Sequence, residues 1–80
     1  MDYTNRARAV TLMRLILPVD EVIKACDRGI GTPVGIYSSV LGTVTAEELP
    51  IVTAYLEDLV AEGVLCRRGL NEYGRTWRPR

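Results

Sequence analysis

The sequence predicts a mainly α-helical domain of three to four helices that ends in a small β-hairpin. Two observations support this class. Up to about residue 62, apolar residues recur at helical spacing in segments that proline and glycine separate. After residue 63, the pattern changes to the alternation of a strand around a segment rich in turn formers. A chain of 80 residues, with 48% hydrophobic and 25% charged residues, has the composition of one globular domain.

The first helix is expected over residues 3–17, which contain neither glycine nor proline. Its core stripe consists of the apolar residues at helical spacing, Val10, Met13, Ile16 and Leu17. Leu12 and Leu15 lie off that stripe, so a second face of the helix also needs cover. Either a second copy of the chain packs on Leu12, Leu15 and Ile16, or both leucines lie at the edge of one wide core face.

Pro18 separates this helix from a second one, expected over residues 19–28, because proline breaks a helix interior. The third helix begins at Thr32-Pro33, a hydroxyl N-cap followed by proline at the first helical position. Gly42 ends the third helix, as glycine commonly does.

The fourth helix runs to about residue 61 and stops at Gly63, but two starting points fit it. Thr45 and Glu48 match a capping box for a helix that begins at Ala46. Pro50 costs that helix one hydrogen bond, so the alternative is a helix that begins at Pro50 after a separate turn over residues 46–49.

The end of the chain predicts a hairpin with strands over residues 64–68 and 75–78 and a turn over residues 69–74. Leu65 and Trp77 are its expected inward anchors, because a two-stranded hairpin is marginally stable until it packs on other elements. The single domain therefore divides into three parts: an N-terminal helix and expected dimerisation element over residues 1–18, a helical core over residues 19–63, and the hairpin over residues 64–80.

Composition points away from an enzyme and towards a binding module. The chain has no histidine, which is the commonest general base and the commonest metal ligand. Its two cysteines form neither a disulfide framework nor a zinc site. We expect no catalytic residue, no metal and no cofactor. No segment resembles a membrane span or a signal peptide, so we expect a cytoplasmic protein without membrane contact.

The net charge is zero, but the charges are unevenly distributed along the chain. Residues 20–62 carry eight acidic residues against Lys24 and Arg28, whereas residues 63–80 carry five arginines against Glu72. Nine of the ten cations are arginine, which suits bidentate contacts with phosphate and guanine and equally suits protein ion pairs. The sequence therefore predicts a basic hairpin beside an acidic helical core.

The order of the elements and two segments resemble the winged helix-turn-helix superfamily. The segment AYLEDLVAEGVLCRR, from Ala54 to Arg68, looks like the end of a recognition helix that continues through a glycine into the first strand of a wing. The segment TPVGIYSSVLG, from Thr32 to Gly42, looks like the second helix. The resemblance covers about residues 19–78 and implies a winged helix-turn-helix fold with three to four helices plus the wing.

This resemblance implies a small transcription regulator that binds double-stranded DNA as a homodimer, with its recognition helix in the major groove. Hydroxyl groups would donate to phosphates, and the start of the recognition helix would touch base edges. The wing arginines would contact phosphates. The DNA-contacting residues implied in this way are Ser38, Ser39, Thr43, Thr45, Pro50, Thr53, Ala54, Arg67, Arg68, Arg75, Arg78 and Arg80.

The alternative function is a winged-helix protein–protein interaction module that binds a basic partner through its acidic helix. The presumed recognition helix and the residues before it contain no lysine or arginine, and carboxylates facing phosphates are repelled. Their acidic residues are Glu47, Glu48, Glu57, Asp58 and Glu62. The direction in which Glu57 points decides how serious this objection to DNA binding is.

Overall fold

The computed structural model describes residues 6–76, in which four helices precede a two-stranded antiparallel hairpin. The helices are α1 (Arg6–Ile16), α2 (Val19–Asp27), α3 (Pro33–Leu41) and α4 (Leu49–Ala61), and the strands are β1 (Leu65–Gly69) and β2 (Glu72–Arg75). The expected class, mainly helical with a small hairpin, is confirmed. Among the described residues, none of the helices has the length and apolar character needed to span a membrane.

The boundaries that the sequence marks with proline and glycine are confirmed. α1 ends before Pro18, and α2 begins directly after it. The Thr32 side chain caps α3 by accepting a hydrogen bond from the backbone N–H of Gly35 at 3.0 Å. Gly42 follows α3 with a φ of 96°, a conformation that side chains with a Cβ rarely adopt.

The start of α4 lies at neither Ala46 nor Pro50, but it agrees within one residue with the expected start at Pro50 after a separate turn. The helix begins at Leu49, and residues 46–48 form a separate turn. Across that turn, Thr45 Oγ1 accepts a hydrogen bond from the backbone N–H of Glu48 at 3.1 Å and donates one to Glu48 Oε1 at 3.0 Å. The two capping-box residues therefore stabilise the turn. Pro50 lies in the first turn of α4, where its missing N–H costs no helical bond.

The core lies where the four helices and the hairpin meet. Its largest fully buried side chains are Leu17, Val22, Ile36, Val52, Tyr55, Leu56, Leu59 and Leu65. None of the residues that are buried within the described part of the chain is polar or charged. The Tyr55 hydroxyl donates a hydrogen bond to the Leu17 carbonyl oxygen at 2.8 Å, so a carbonyl just past the end of α1 has a partner inside the core.

One face of α1 lies outside the core. Leu12, Leu15 and Ile16 are 55%, 72% and 49% exposed, whereas Val10 and Met13 are buried. The expectation that Ile16 belongs to the core stripe is wrong, and so is the alternative that places Leu12 and Leu15 at the edge of a wide core face. α1 packs on the other elements through one narrow stripe at helical spacing, which leaves these three side chains pointing away.

The hairpin turns back earlier than the sequence predicts. β2 comprises Glu72–Arg75 rather than residues 75–78, and Leu70 and Asn71 form the turn, with Asn71 at a φ of 55°. The early return has a packing reason. It brings Tyr73, which is 4% exposed, into the core beside Leu65, which is 2% exposed.

The strand register places Leu65 opposite Arg75 and Arg67 opposite Tyr73, with an irregularity between Arg67 and Gly69. The inward anchor of β2 is therefore Tyr73. Trp77, the anchor expected from the sequence, lies outside the described residues.

A Tyr55→Phe substitution tests the buried hydrogen bond to Leu17. We expect the free energy of unfolding to fall by about 1–3 kcal/mol, because a buried carbonyl loses its partner. Urea denaturation measures the change. Tyr37→Phe is the matched control, because the Tyr37 hydroxyl bonds to the partly exposed Glu48, where water can take its place. Equal losses in the two variants would contradict this role for Tyr55.

Candidate functional site

The side of α4 that faces away from the core carries Pro50, Thr53 and Glu57, which are three and four residues apart. Pro50 is exposed, and Thr53 and Glu57 are half-buried. The Thr53 hydroxyl donates a hydrogen bond to the Leu49 carbonyl at 3.0 Å. Ala54 is only 6% exposed and packs in the core, which leaves its methyl group little surface with which to touch a DNA base.

Glu57 joins α4 to the hairpin. Its carboxylate accepts hydrogen bonds from the Arg67 guanidinium, from Nε to Oε2 at 3.0 Å and from Nη2 to Oε1, and Oε2 also accepts one from the Tyr73 hydroxyl. Arg67 and Tyr73 are cross-strand neighbours in the hairpin, so both reach the same carboxylate. This group of three residues, which we call the Glu57 link, holds the hairpin beside the outer face of α4.

The Glu57 link shifts the pKa values of its members. The hydrogen bonds from Arg67 and then Tyr73 hold the pKa of Glu57 below its ordinary value. Burial, together with the hydrogen bond to Glu57, raises the pKa of Tyr73 to about 12. The carboxylate is therefore ionised at neutral pH, while both donors keep their protons.

The arginines of the hairpin point to different neighbours. Arg67 reaches Glu57 on α4, whereas Arg75 Nη1 lies 3.2 Å from Asp27 Oδ2 at the end of α2. Arg68 is exposed, and its side chain lies over Gly74. The side chains of Arg67 and Arg75 are 63% and 60% exposed, so both guanidinium groups remain accessible to a ligand. Arg78 and Arg80 lie outside the described residues.

The hydroxyl groups expected at a DNA contact divide into two groups. Ser38 on α3 and Thr43 after it are exposed. The Ser39 hydroxyl instead donates to the Ile36 carbonyl at 2.8 Å, and the Thr45 hydroxyl stabilises the turn before α4. Ser38 and Thr43 are therefore better placed to meet a phosphate than Ser39 and Thr45.

Two further carboxylates tie α4 and the turn before it to other helices. Glu62 binds Arg14 on α1, with Oε2 and Nη2 2.6 Å apart, and the Arg14 guanidinium also lies 5.4 Å from the centre of the Tyr55 ring. Glu48 accepts a hydrogen bond from the Tyr37 hydroxyl on α3 at 2.7 Å. These bonds lower the pKa values of both carboxyl groups. Much of the acidic charge that the sequence offers to a partner thus stabilises the fold.

Sequence reasoning did not single out Tyr73 as part of the site. Tyr73 lies between turn-forming residues, where alternation gives no signal of a buried aromatic side chain. Its importance follows only from the observed register, which sets its ring on the core and its hydroxyl on Glu57. Within residues 6–76, no three histidine, cysteine, aspartate or glutamate side chains gather closely enough to hold a metal ion.

Comparison of the chain with family models, with curated proteins and with solved structures finds no match. The arrangement of the side chains is therefore the basis for any statement about function.

The pKa of Glu57 predicts a stability loss in acid that a Glu57→Gln variant lacks. Because the pKa is lower in the folded than in the unfolded chain, the ionised carboxylate stabilises the fold at neutral pH. This contribution falls as pH drops through the ordinary pKa of a glutamate, about 4.3, and then through the lower pKa of the folded chain. We expect urea unfolding to show a larger acid loss in the wild type than in Glu57→Gln.

Asp58→Asn is the control for this measurement, since it removes the neighbouring acid and leaves the Glu57 link intact. Its acid loss should match that of the wild type. An acid loss in Glu57→Gln as large as that of the wild type would show that the link does not stabilise the fold.

Proposed function

We propose that this protein is a small winged helix-turn-helix transcription regulator that binds duplex DNA with α4 and with the hairpin as its wing. The observation that carries the proposal is the Glu57 link, which holds the hairpin beside the outer face of α4. The helix and the hairpin thereby form one continuous surface. A recognition helix in the major groove needs backbone-binding groups beside it, and this surface supplies them.

Accessible positive charge on the hairpin supports this proposal. Arg68 is exposed, and Arg67 and Arg75 hold their carboxylate partners with more than half of each side chain in solvent. Ion pairs between exposed groups contribute little to stability, so Arg75 can exchange the carboxylate of Asp27 for a phosphate while Arg67 stays bound to Glu57. Ser38 on α3 and Thr43 after it are exposed and can add hydroxyl donors for phosphates.

A second candidate function is a protein-interaction module that binds a basic partner. It is favoured by the charge of α4, which has no basic residue and exposes Asp58, and by Glu47, which is exposed in the turn before this helix. It is also favoured by the pairing of Arg67 and Arg75 with carboxylates, which reduces the positive potential of the hairpin. A surface of this kind attracts cations and repels phosphates.

Selection on random duplex DNA at low salt, followed by titration of the enriched duplex at several salt concentrations, separates the two candidates. We expect the wild type to enrich a sequence. Arg68→Ala should weaken binding to all sequences and reduce the slope of log K against log salt by about 1, because one phosphate contact is lost.

Lys24→Ala is the charge-matched control, since Lys24 is an exposed cation on α2 that pairs with Glu21 within its own helix. This variant should bind as the wild type does. If the wild type binds no duplex even at low salt, DNA binding is contradicted and the interaction module is the better account. If Arg68→Ala and Lys24→Ala behave alike, the hairpin is not a phosphate contact.

We also propose that the exposed apolar face of α1 joins two copies of the chain. Leu12, Leu15 and Ile16 line a groove of about 430 Å³ together with Ile51 and Glu48. A two-fold dimer buries the same face of both copies, so one apolar patch suffices for both halves of the contact. Such a dimer presents two recognition helices to a two-fold symmetric DNA site, as helix-turn-helix dimers do.

Sedimentation of a Leu15→Asp variant tests this contact. We expect the wild type to sediment as a dimer and Leu15→Asp as a monomer, because the contact cannot bury a carboxylate without a partner. Leu70→Asp is the matched control: Leu70 is 99% exposed at the hairpin tip, away from α1, and its variant should remain dimeric. A monomeric wild type would overturn the proposal.

A further inference from the structure

We infer that Glu57 selects a cytosine in the DNA site, with Arg67 and Tyr73 acting as positioning residues for its carboxylate. The inference rests on the proposed DNA binding. It goes further by naming the base and the atom that recognises it.

Glu57 lies on the face of α4 that would enter the major groove in the proposed mode of binding. It shares the outer face with Pro50 and Thr53, and its side chain is 33% exposed. The two acidic residues at the ends of α4 point away from this face. Glu62 binds Arg14 on α1, and Glu48 accepts a hydrogen bond from Tyr37 on α3. Asp58 lies about 100° around the helix from Glu57.

The carboxylate of Glu57 is held in one orientation and keeps one acceptor position open. A carboxylate has about four lone-pair sites. Oε2 accepts from Arg67 Nε and from the Tyr73 hydroxyl, while Oε1 accepts only from Arg67 Nη2. One lone pair of Oε1 therefore remains for a donor from outside.

The charge of Arg67 removes the main obstacle to a carboxylate in the groove. An isolated carboxylate is repelled by phosphates on both sides. The two hydrogen bonds from Arg67 offset the charge of Glu57 locally and leave its acceptor character unchanged. The pair can thus enter the groove without adding net negative charge.

The open acceptor matches one base. A carboxylate accepts hydrogen bonds and donates none, so it cannot pair with the acceptor atoms of guanine or with thymine O4. Adenine offers its N6 amino group, but N7 beside it is an acceptor that repels the carboxylate. Cytosine offers the N4 amino group without an adjacent acceptor, so cytosine is the base that Oε1 accepts from.

Selection on random duplex DNA with the wild type and four variants tests this inference. The wild type should prefer cytosine at one position by about five- to 150-fold, the cost of one mismatched base pair. Glu57→Ala should lose the preference at that position alone. Glu57→Gln should weaken it, because the amide offers one acceptor oxygen where the carboxylate offers two to Arg67, Tyr73 and the cytosine amino group.

The other two variants separate positioning from general effects. Tyr73→Phe should weaken the cytosine preference and leave the other positions unchanged, because it frees the carboxylate to rotate. Asp58→Asn removes an adjacent charge and should keep the preference. Circular dichroism of each variant confirms that it is folded before selection.

The outcomes distinguish this inference from the proposed function. No enrichment of any duplex by the wild type overturns the proposed function and this inference with it. Enrichment with the same base preferences in the wild type, Glu57→Ala and Glu57→Gln overturns the inference alone. An equal rise in affinity for all sequences in Glu57→Ala also overturns it, because Glu57 then acts only as a repelling charge.

Discussion

The carboxylate of Glu57 is the interaction on which the arrangement of helix and hairpin depends. A two-stranded hairpin is marginally stable by itself, so it needs contacts with the helices. Leu65 and Tyr73 supply the apolar part of this contact. The hydrogen bonds of Glu57 with Arg67 and Tyr73 orient the hairpin relative to α4. Apolar packing alone leaves a hairpin free to slide, whereas three hydrogen bonds to one carboxylate define its position.

The same logic applies to the other carboxylates around α4. Glu48 binds Tyr37 on α3, and Glu62 binds Arg14 on α1, so three acidic residues connect this region to three different elements. A small domain buries a limited apolar surface, and directional contacts at its rim help to select one arrangement of its elements. The acidity of the helical core is therefore in large part a property of the fold. The charges of Glu48 and Glu62 are in consequence a weaker argument against DNA binding than the sequence alone suggests, whereas the objection from Glu57, which lies on the outer face of α4, remains.

Local interactions explain which features could be predicted from the sequence. The Thr32 cap, Pro33 and Gly42 define α3 through contacts within a few residues, and all three are confirmed. The return of the hairpin could not be predicted, because turn-forming residues on both sides of Tyr73 allow several registers, and only packing of Tyr73 on the core selects one.

In the candidate site, too, local patterns could be predicted from the sequence and tertiary contacts could not. Alternation places Arg67 and Arg68 on opposite faces of β1, but it does not reveal that Glu57 is the partner of Arg67. Helical spacing places Ala54 near the outer face of α4, but whether neighbouring elements cover so small a side chain depends on tertiary packing. Ile16 differs from the prediction in the opposite direction: the sequence places it on the core stripe of α1, but the structure leaves it exposed. Helical periodicity gives the direction of an apolar stripe and does not tell how wide a part of the helix the core covers.

The two surfaces that we assign to function use different sides of α4. α1 packs on the core-facing side of this helix, where the Tyr55 hydroxyl reaches the carbonyl of Leu17, and the Glu57 link lies on the outer side. A contact between two α1 helices therefore leaves the outer face of α4 free in both copies. Because contacts of Arg14 and Tyr55 join α1 to α4, the geometry of such a dimer sets the separation of the two outer faces. If the proposed dimer binds DNA, the spacing between its half-sites depends on how the α1 helices pack, and a change at Leu12 or Leu15 would alter DNA recognition without touching a DNA-contacting residue.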